Sequence, residues 1–243
     1  MTNTEFYNRL ADFYDSMINF ETAIERRTDL LKSFTKNKTS ALDLGCGTGI
    51  DSISLNRLGL SVDAVDQSDG MVERAKLNSS KFHAEVNFSI SGIKEFNPAT
   101  KKYDLILSLG NSLANNSENE LREIINLICS YLTPNGSLLI QILNFNLLPS
   151  KGIFPVNKKE DDSLFINRYY NIENHKINFI IEYEDKIKNE KGSIRTEIFP
   201  HTKELFQSIF DSCEFSVEFY GGLNKSEFNP NESKDLVILA TKK

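Results

Sequence analysis

The chain has 243 residues, 40% of them hydrophobic and 26% charged, with a formal charge of −6. That balance describes one large globular domain, or one domain with an insertion. It argues against a nucleic-acid partner, which a basic field would favour, and no apolar run approaches the roughly 20 residues of a membrane span. The opening "MTNTEFYNRL" has no basic-then-apolar leader pattern, so a cytoplasmic protein with no membrane partner is expected. Three widely spaced cysteines, Cys46, Cys129 and Cys213, make neither a disulfide framework nor a zinc set. With three histidines and no paired-ligand motif, no metal is expected.

Residues 5–34 read as one helix, with Phe6, Leu10, Phe13, Met17 and Ile18, then Ile24, Leu31 and Phe34, at helical spacing. The polar run 35–40 is a loop. From there short apolar runs alternate with helical patterns. "ALDL", "SVDAVD", "VNFSI", "YDLILSL" and "SLLIQIL" are strands. Helices fall at 48–58, ended by Gly59, from Ser68 or Asp69 to Leu77, and at 118–132, which "TPNG" breaks. Strands alternating with helices form right-handed βαβ units and a doubly wound parallel sheet. After residue 150 the pattern changes. "SLFINRYYNI", "KINFIIEYEDKI" and "GSIRTEIFP" read as three extended segments of an antiparallel meander. A helix over 202–210 follows, then "FSVEFYGG" and "KDLVILATK" as an antiparallel pair at the sheet edge. The expected fold is α/β: a doubly wound, seven-stranded, mostly parallel sheet. The expected parts are an N-terminal helical cap (1–40), a core (41–148 and 200–243) and an inserted antiparallel β lid (149–199).

"LDLGCGTGID", residues 42–51, is the first strand-to-helix turn, where ligands of open parallel sheets bind. Glycines there bring bare backbone to a ligand, and the helix start favours an anionic group. The order is GxGxG rather than the GxGxxG of dinucleotide sites, and no GK[ST] of a P-loop is present. Asp43 stands two residues before Gly45, and Asp66 ends the second strand 21 residues after it. A carboxylate at that place can accept both ribose hydroxyls of a nucleoside.

"LDLGCGTG" together with "VDQSDGM" resembles the first two motifs of class I S-adenosylmethionine-dependent methyltransferases. The likeness runs on through "SGIKEF", "YDLILSLGNSL" and "LTPNGSLLIQ", over residues 41–142. More narrowly, "TGIDSISL", "SLGNSLAN" and the "ERRT" of the first helix resemble glycine and sarcosine N-methyltransferases. The resemblance implies S-adenosyl-L-methionine as cofactor and S-adenosyl-L-homocysteine as product. It sets Gly45 and Gly47 against the methionine part, Asp66 on the ribose, Gly92 and Ile93 against the adenine, and Leu109 in the wall. Arg27 would contact the cofactor carboxylate, and Tyr14 or Tyr7 would cover the cofactor. Asp43, Cys46, Gly49, Gln67 and Met71, in the same two motifs, join this cofactor set. Asn111 would face and position the methyl acceptor.

Two positions depart from the narrower family. Leu143 replaces an arginine that grips the amino-acid carboxylate, which argues against glycine or sarcosine held in the family manner. Asn115 replaces a histidine, so it can donate a hydrogen bond but cannot shuttle a proton. Methyl transfer from a sulfonium is an in-line displacement that needs mainly alignment and exclusion of water. A base is needed only where the acceptor must first lose a proton, and besides carboxylates only His201 and His175 are candidates. The meander lies over the cofactor's methyl end in this fold, and strand alternation puts Arg168 and Tyr170 together on one of its faces, with Tyr169 on the other. Asn111, Asn115, Leu143, Arg168 and Tyr170 are therefore the expected substrate residues. The expected activity is methyl transfer to a nitrogen or oxygen of a small molecule, by a monomer or homodimer. A tRNA or protein methyltransferase and a non-catalytic cofactor-sensing protein are the alternatives.

Overall fold

The N-terminal apolar pattern forms two helices, α1 (Asn3–Tyr14) and α2 (Phe20–Leu31), rather than the single helix expected. Asn19 separates them. Its backbone is extended, and its side chain accepts the Thr22 N–H at 3.1 Å. A capping residue needs this non-helical backbone, so no helix can run through it. The structure, a computed structural model, describes the chain apart from Met1, residues 15–18, His175, Lys188 and residues 212–213, and of Asn3, Asp12 and Phe13 the backbone alone. Met17, Ile18, His175 and Cys213 therefore lie outside the described residues.

Five strands follow, β1 (Ser40–Leu44), β2 (Ser61–Asp66), β3 (Val86–Ile90), β4 (Tyr103–Ser108) and β5 (Leu132–Leu143), with β3 and β4 joined by turns without a helix. Helices α3 (Ile50–Arg57), α4 (Asp69–Lys81) and α5 (Glu118–Ser130) connect β1 to β2, β2 to β3 and β4 to β5. "TPNG", expected to precede the last of these strands, lies inside β5. The pairing with β4 jumps there from Tyr103–Leu132 to Leu105–Ser137. After the second sheet come α6 (Lys203–Asp211), β10 (Phe215–Tyr220) and β11 (Asp235–Lys242). The main sheet has the order β10–β11–β5–β4–β1–β2–β3. Only β11 runs against its neighbours, so the sheet is mostly parallel, as expected.

Both faces of this sheet are covered, and the strand alternation shows how. Leu42, Ile106, Leu138, Ile140 and Ile238 bury against α5 and α6. Their neighbours Ala41, Leu105, Leu107, Leu139 and Val237 bury on the opposite side, with Leu31 of α2 and Leu55 of α3. Each such Leu, Ile or Val side chain contributes about 1.5–3 kcal/mol. A sheet apolar on both faces leaves its ligand only the carboxyl ends of the strands.

The second sheet has four antiparallel strands where three were expected: β6 (Gly152–Glu160), β7 (Leu164–Glu173), β8 (Lys176–Asp185) and β9 (Glu190–Ile198), in that order. The extra strand, β6, carries Pro155 and a charged end, "KKE", and lacks an apolar rhythm. It lies at an edge, where proline is tolerated. Leu164, Ile166, Ile181 and Ile194 of this sheet bury against Phe6, Leu10 and Ala11 of α1 and Met71 of α4.

Candidate cofactor and acceptor site

At the end of β1 the chain turns through Gly45 at φ +77°. The Gly45 and Cys46 N–H groups donate to Val65 O at 2.9 and 3.0 Å, which fixes the turn over the end of β2. A Cβ on Gly45 would stand 2.6 Å from Ser112 Oγ, so space as well as dihedral demands glycine. Gly47 is the opposite case. Nothing lies within 4 Å of a Cβ built there, and its backbone lines a cavity of about 300 Å³.

Asp66 closes β2 beside this turn. Its Oδ2 accepts the Gly47 N–H and its Oδ1 the Ser68 N–H, each at 2.9 Å. Burial pushes its carboxyl up from the ordinary range, although backbone N–H groups of Ser68, Gly47 and Gln67 pull the other way. Each oxygen retains lone-pair capacity for a further donor. Asp66 and Gln67 line the cavity, as does Met71 one turn into α4. Gly92 and Ile93, after β3, and Leu109, after β4, form further wall, with Cys46. Burial raises the Cys46 thiol well above its usual value. Tyr14 and Tyr7 of α1 complete the wall on the side of the second sheet.

Arg27 reaches the cavity from α2. Its Nε lies 3.1 Å from Asp51 Oδ1 in the first turn of α3, and its Nη1 3.5 Å from Gln141 Oε1 at the end of β5. Gln141 in turn donates to Asp235 Oδ2 at 2.9 Å. Asp51, which lines the cavity, was not among the expected residues. An acid in the first turn after a glycine turn is common, so only its pairing with an arginine 24 positions earlier, invisible in one sequence, marks it. Thr48 and Ser112 are further wall residues that sequence reading missed, and Thr48 Oγ1 is buried there without a hydrogen-bond partner.

Several expected site residues lie elsewhere. Asp43 is 1% exposed beneath the turn and accepts the Ser52 hydroxyl at 2.6 Å, so it supports the turn from behind. Gly49 caps α3 at φ +91°, and its missing side chain makes room for Ala75 of α4. Asn111 does not line the cavity. It sits in the left-handed region at φ +73°, directly after Gly110, and its Oδ1 accepts the Leu143 N–H at 3.0 Å. Asparagine tolerates that backbone better than most residues, which accounts for it at a strand end. Leu143 packs at the border of the main core, and Tyr170 is buried with its ring 5.1 Å from Phe179. Arg168 and Tyr170 share the inner face of β7 but are not cavity wall, while Tyr169 points to the outer face and donates to Glu182. His201 is buried behind the turn at Ser112–Asn115, 2.9 Å from Asn116 O, rather than facing the cavity. Burial lowers its basicity.

Asn115 is in the wall. Its Nδ2 donates to Tyr7 Oη and to Ser112 O, each at 3.1 Å. Its Oδ1 is buried and, among the described residues, has no donor. Because Ser112 O can only accept, the amide orientation is fixed by chemistry.

Burial first, and then the neighbouring Asp51 charge, raise the Asp43 carboxyl to about 7. A carboxyl with a raised folded-state pKa gives stability that is present below its unfolded value and lost as pH rises through the folded one. The melting temperature of Asp43→Asn should therefore gain on that of the native chain as pH rises from about 5 to 7, and the gap should level off above. Parallel melting curves across that range would contradict this assignment.

A doubly wound sheet with a glycine turn, a strand-end acid and an arginine converging on one cavity defines the class: a class I S-adenosylmethionine-dependent methyltransferase. The chain belongs to the methyltransferase family, whose domain profile matches residues 35–216. It is similar to glycine N-methyltransferase of Rattus norvegicus, at 30% identity over 206 residues, 72% of this chain and 70% of that protein. Its fold matches an S-adenosylmethionine-dependent methyltransferase from Clostridium acetobutylicum ATCC 824, with a TM-score of 0.81 and 18% identity over 97% of this chain and 98% of that one. It also matches the sugar N-methyltransferase KedS8 from Streptoalloteichus sp ATCC 53650, with a TM-score of 0.73 and 14% identity over 95% and 91% of the two chains.

The cofactor is S-adenosylmethionine, and the cavity's chemistry suits it. The open space over Gly47 is a cradle that a Cβ would fill, the Asp66 oxygens can accept hydroxyls, and the wall at Ile93 and Leu109 is apolar.

Proposed function

We propose that this enzyme methylates a nitrogen or oxygen of a small molecule in the cavity beside the glycine turn. One observation supports the reading most: the Asn115 carbonyl oxygen, buried in the cavity wall without a donor. An unpaired buried acceptor is costly, about 1–3 kcal/mol. An N–H or O–H of the acceptor molecule would satisfy it and leave a lone pair of the same atom free for attack. Tyr7 holds the Asn115 amide in place by accepting from its Nδ2. Burial and its neighbours leave the Tyr7 phenol more weakly acidic than usual, so Tyr7 serves as a neutral partner and not as a base.

Bound S-adenosylmethionine supplies a methyl group activated by a sulfonium charge. The protein's share is alignment. Gly45 and Gly47 present backbone, Arg27 offers a guanidinium for the cofactor carboxylate, Asp66 takes the ribose hydroxyls, and Gly92 and Ile93 flank the adenine. The second sheet, packed on α1, acts as a lid that keeps water from the transfer. Glycine and sugar N-methyltransferases among the similar proteins act on small molecules by their names, which supports the same acceptor class here. The buried free thiol of Cys46 suits a cytoplasmic protein.

The test is transfer of labelled methyl from S-adenosylmethionine to fractionated cell material. Label should pass into the low-molecular-weight fraction. Label confined to tRNA or protein would overturn the small-molecule reading, and cofactor binding with no transfer to any fraction would overturn the enzymatic one.

A further inference from the structure

Arg168 is a cation that the site described above does not use. It lies in β7 on the face that also carries Leu164, Ile166, Tyr170 and Ile172, all of them buried, so it is turned toward the body of the protein. It is half-buried, and among the described residues no carboxylate pairs with it. Its side chain donates from Nε to Asn157 Oδ1, at 2.5 Å. A charge withdrawn from water without a counter-charge is costly. The two Nη groups form a planar fork suited to bidentate pairing with a carboxylate or phosphate.

The backbone beside it is arranged to hold this geometry. In the pairing of β6 with β7, Pro155 stands opposite Tyr169 and Asn157 opposite Arg168, so Val156 is the extra residue of a bulge. Regular pairing would set the apolar Val156 against the guanidinium. The bulge sets the Asn157 amide there instead, and re-aiming a side chain is what bulges near functional sites do. Asn157 occupies Nε and leaves the Nη edge of the fork open.

This part of the sheet adjoins the cavity. Burial lowers the basicity of Arg168, while Tyr14, a cavity-wall residue, and Tyr170 act against that shift. A run of ring contacts ties the same face to the wall: Tyr170 to Phe179 at 5.1 Å, Phe179 to Phe6 at 6.1 Å, and Phe6 to the wall residue Tyr7 at 5.0 Å.

We propose that Arg168, oriented by Asn157, binds an anionic group, a carboxylate or a phosphate, carried by the methyl acceptor. The proposal rests on the reading of the cavity as the site of methyl transfer, and it narrows the acceptor to anionic small molecules.

Calorimetric titration of the full chain loaded with S-adenosylhomocysteine tests it. The probes are a panel of short amino-carboxylic acids and amino-alkyl phosphates, each beside its neutral amide or alcohol counterpart. At least one anion should bind about tenfold or more tightly than its neutral partner, and whether that anion is an acid or a phosphate identifies the group. Arg168→Gln should abolish the preference and Arg168→Lys should reduce it, while affinity for S-adenosylhomocysteine stays unchanged in both. No anion preference in the native chain, or a preference that survives Arg168→Gln, overturns the proposal. Should the glutamine variant fail to fold, an unreduced preference in Arg168→Lys overturns it equally. Failure of the native chain to bind S-adenosylhomocysteine would instead strike the methyl-transfer reading, and this one with it.

Discussion

Gly45→Val should abolish cofactor binding while leaving most of the chain folded. Three costs fall on one residue. A β-branched side chain at φ +77° is strained, by about 1–2 kcal/mol even for an unbranched residue. Its Cβ would stand 2.6 Å from Ser112 Oγ and 2.9 Å from Ser112 Cβ, contacts that the structure can relieve only by moving the turn. Moving the turn breaks the Gly45 and Cys46 hydrogen bonds to Val65 and shifts the backbone that the cofactor meets. A combined loss of about 3 kcal/mol or more corresponds to over a hundredfold in affinity. Gly59→Val is the control. Gly59 also has a positive φ, +88°, but nothing lies within 4 Å of its Cβ and it ends α3 far from the cavity wall. It should cost stability alone and leave affinity for S-adenosylmethionine intact. Equal affinities in the two variants would show that the turn's shape is not what binds.

Asp66→Ala should have the next largest effect. The oxygens of its side chain hold the Gly47 and Ser68 N–H groups, and the residue lines the cavity. In the proposed role, removing it loses charge-assisted hydrogen bonds to the ribose hydroxyls, about 1.5–3 kcal/mol each. It also leaves two partly buried N–H groups without acceptors, which loosens the glycine turn. Affinity should fall at least tenfold, since about 1.4 kcal/mol is a factor of ten. Asp66→Asn keeps one acceptor oxygen and should fall between the two.

The parts of this protein that were legible in its sequence are those where backbone conformation and local chemistry coincide. The alternation of apolar runs with helical patterns predicted the doubly wound sheet, and the GxGxG turn with Asp66 pointed to strand ends that line a cavity. The readings that went astray share another cause. Asn19 looks like any polar residue inside an amphipathic pattern, and only its capping bond reveals the break between α1 and α2. β6 is an edge strand facing solvent, so no apolar rhythm marks it. Asn111 and Asp43 are polar residues next to the right motif, yet their side chains turn to Leu143 and Ser52. Adjacency along the chain does not say which way a side chain points. Asp51, in contrast, was overlooked because its partner Arg27 comes from another helix. The wall at Tyr7, Tyr14, Ser112 and Asn115 was the least legible, because it is assembled from α1 and the turn after β4, which meet only in the folded chain.

The central claim is that the cavity bounded by the glycine turn and Asp66 is where the cofactor binds. Isothermal titration of S-adenosylhomocysteine into the native chain and into Asp66→Ala tests it most directly. The native chain should bind one equivalent at micromolar levels, and the variant at least about tenfold more weakly, with its melting temperature showing that it remains folded. Equal affinity in the two proteins would contradict the claim.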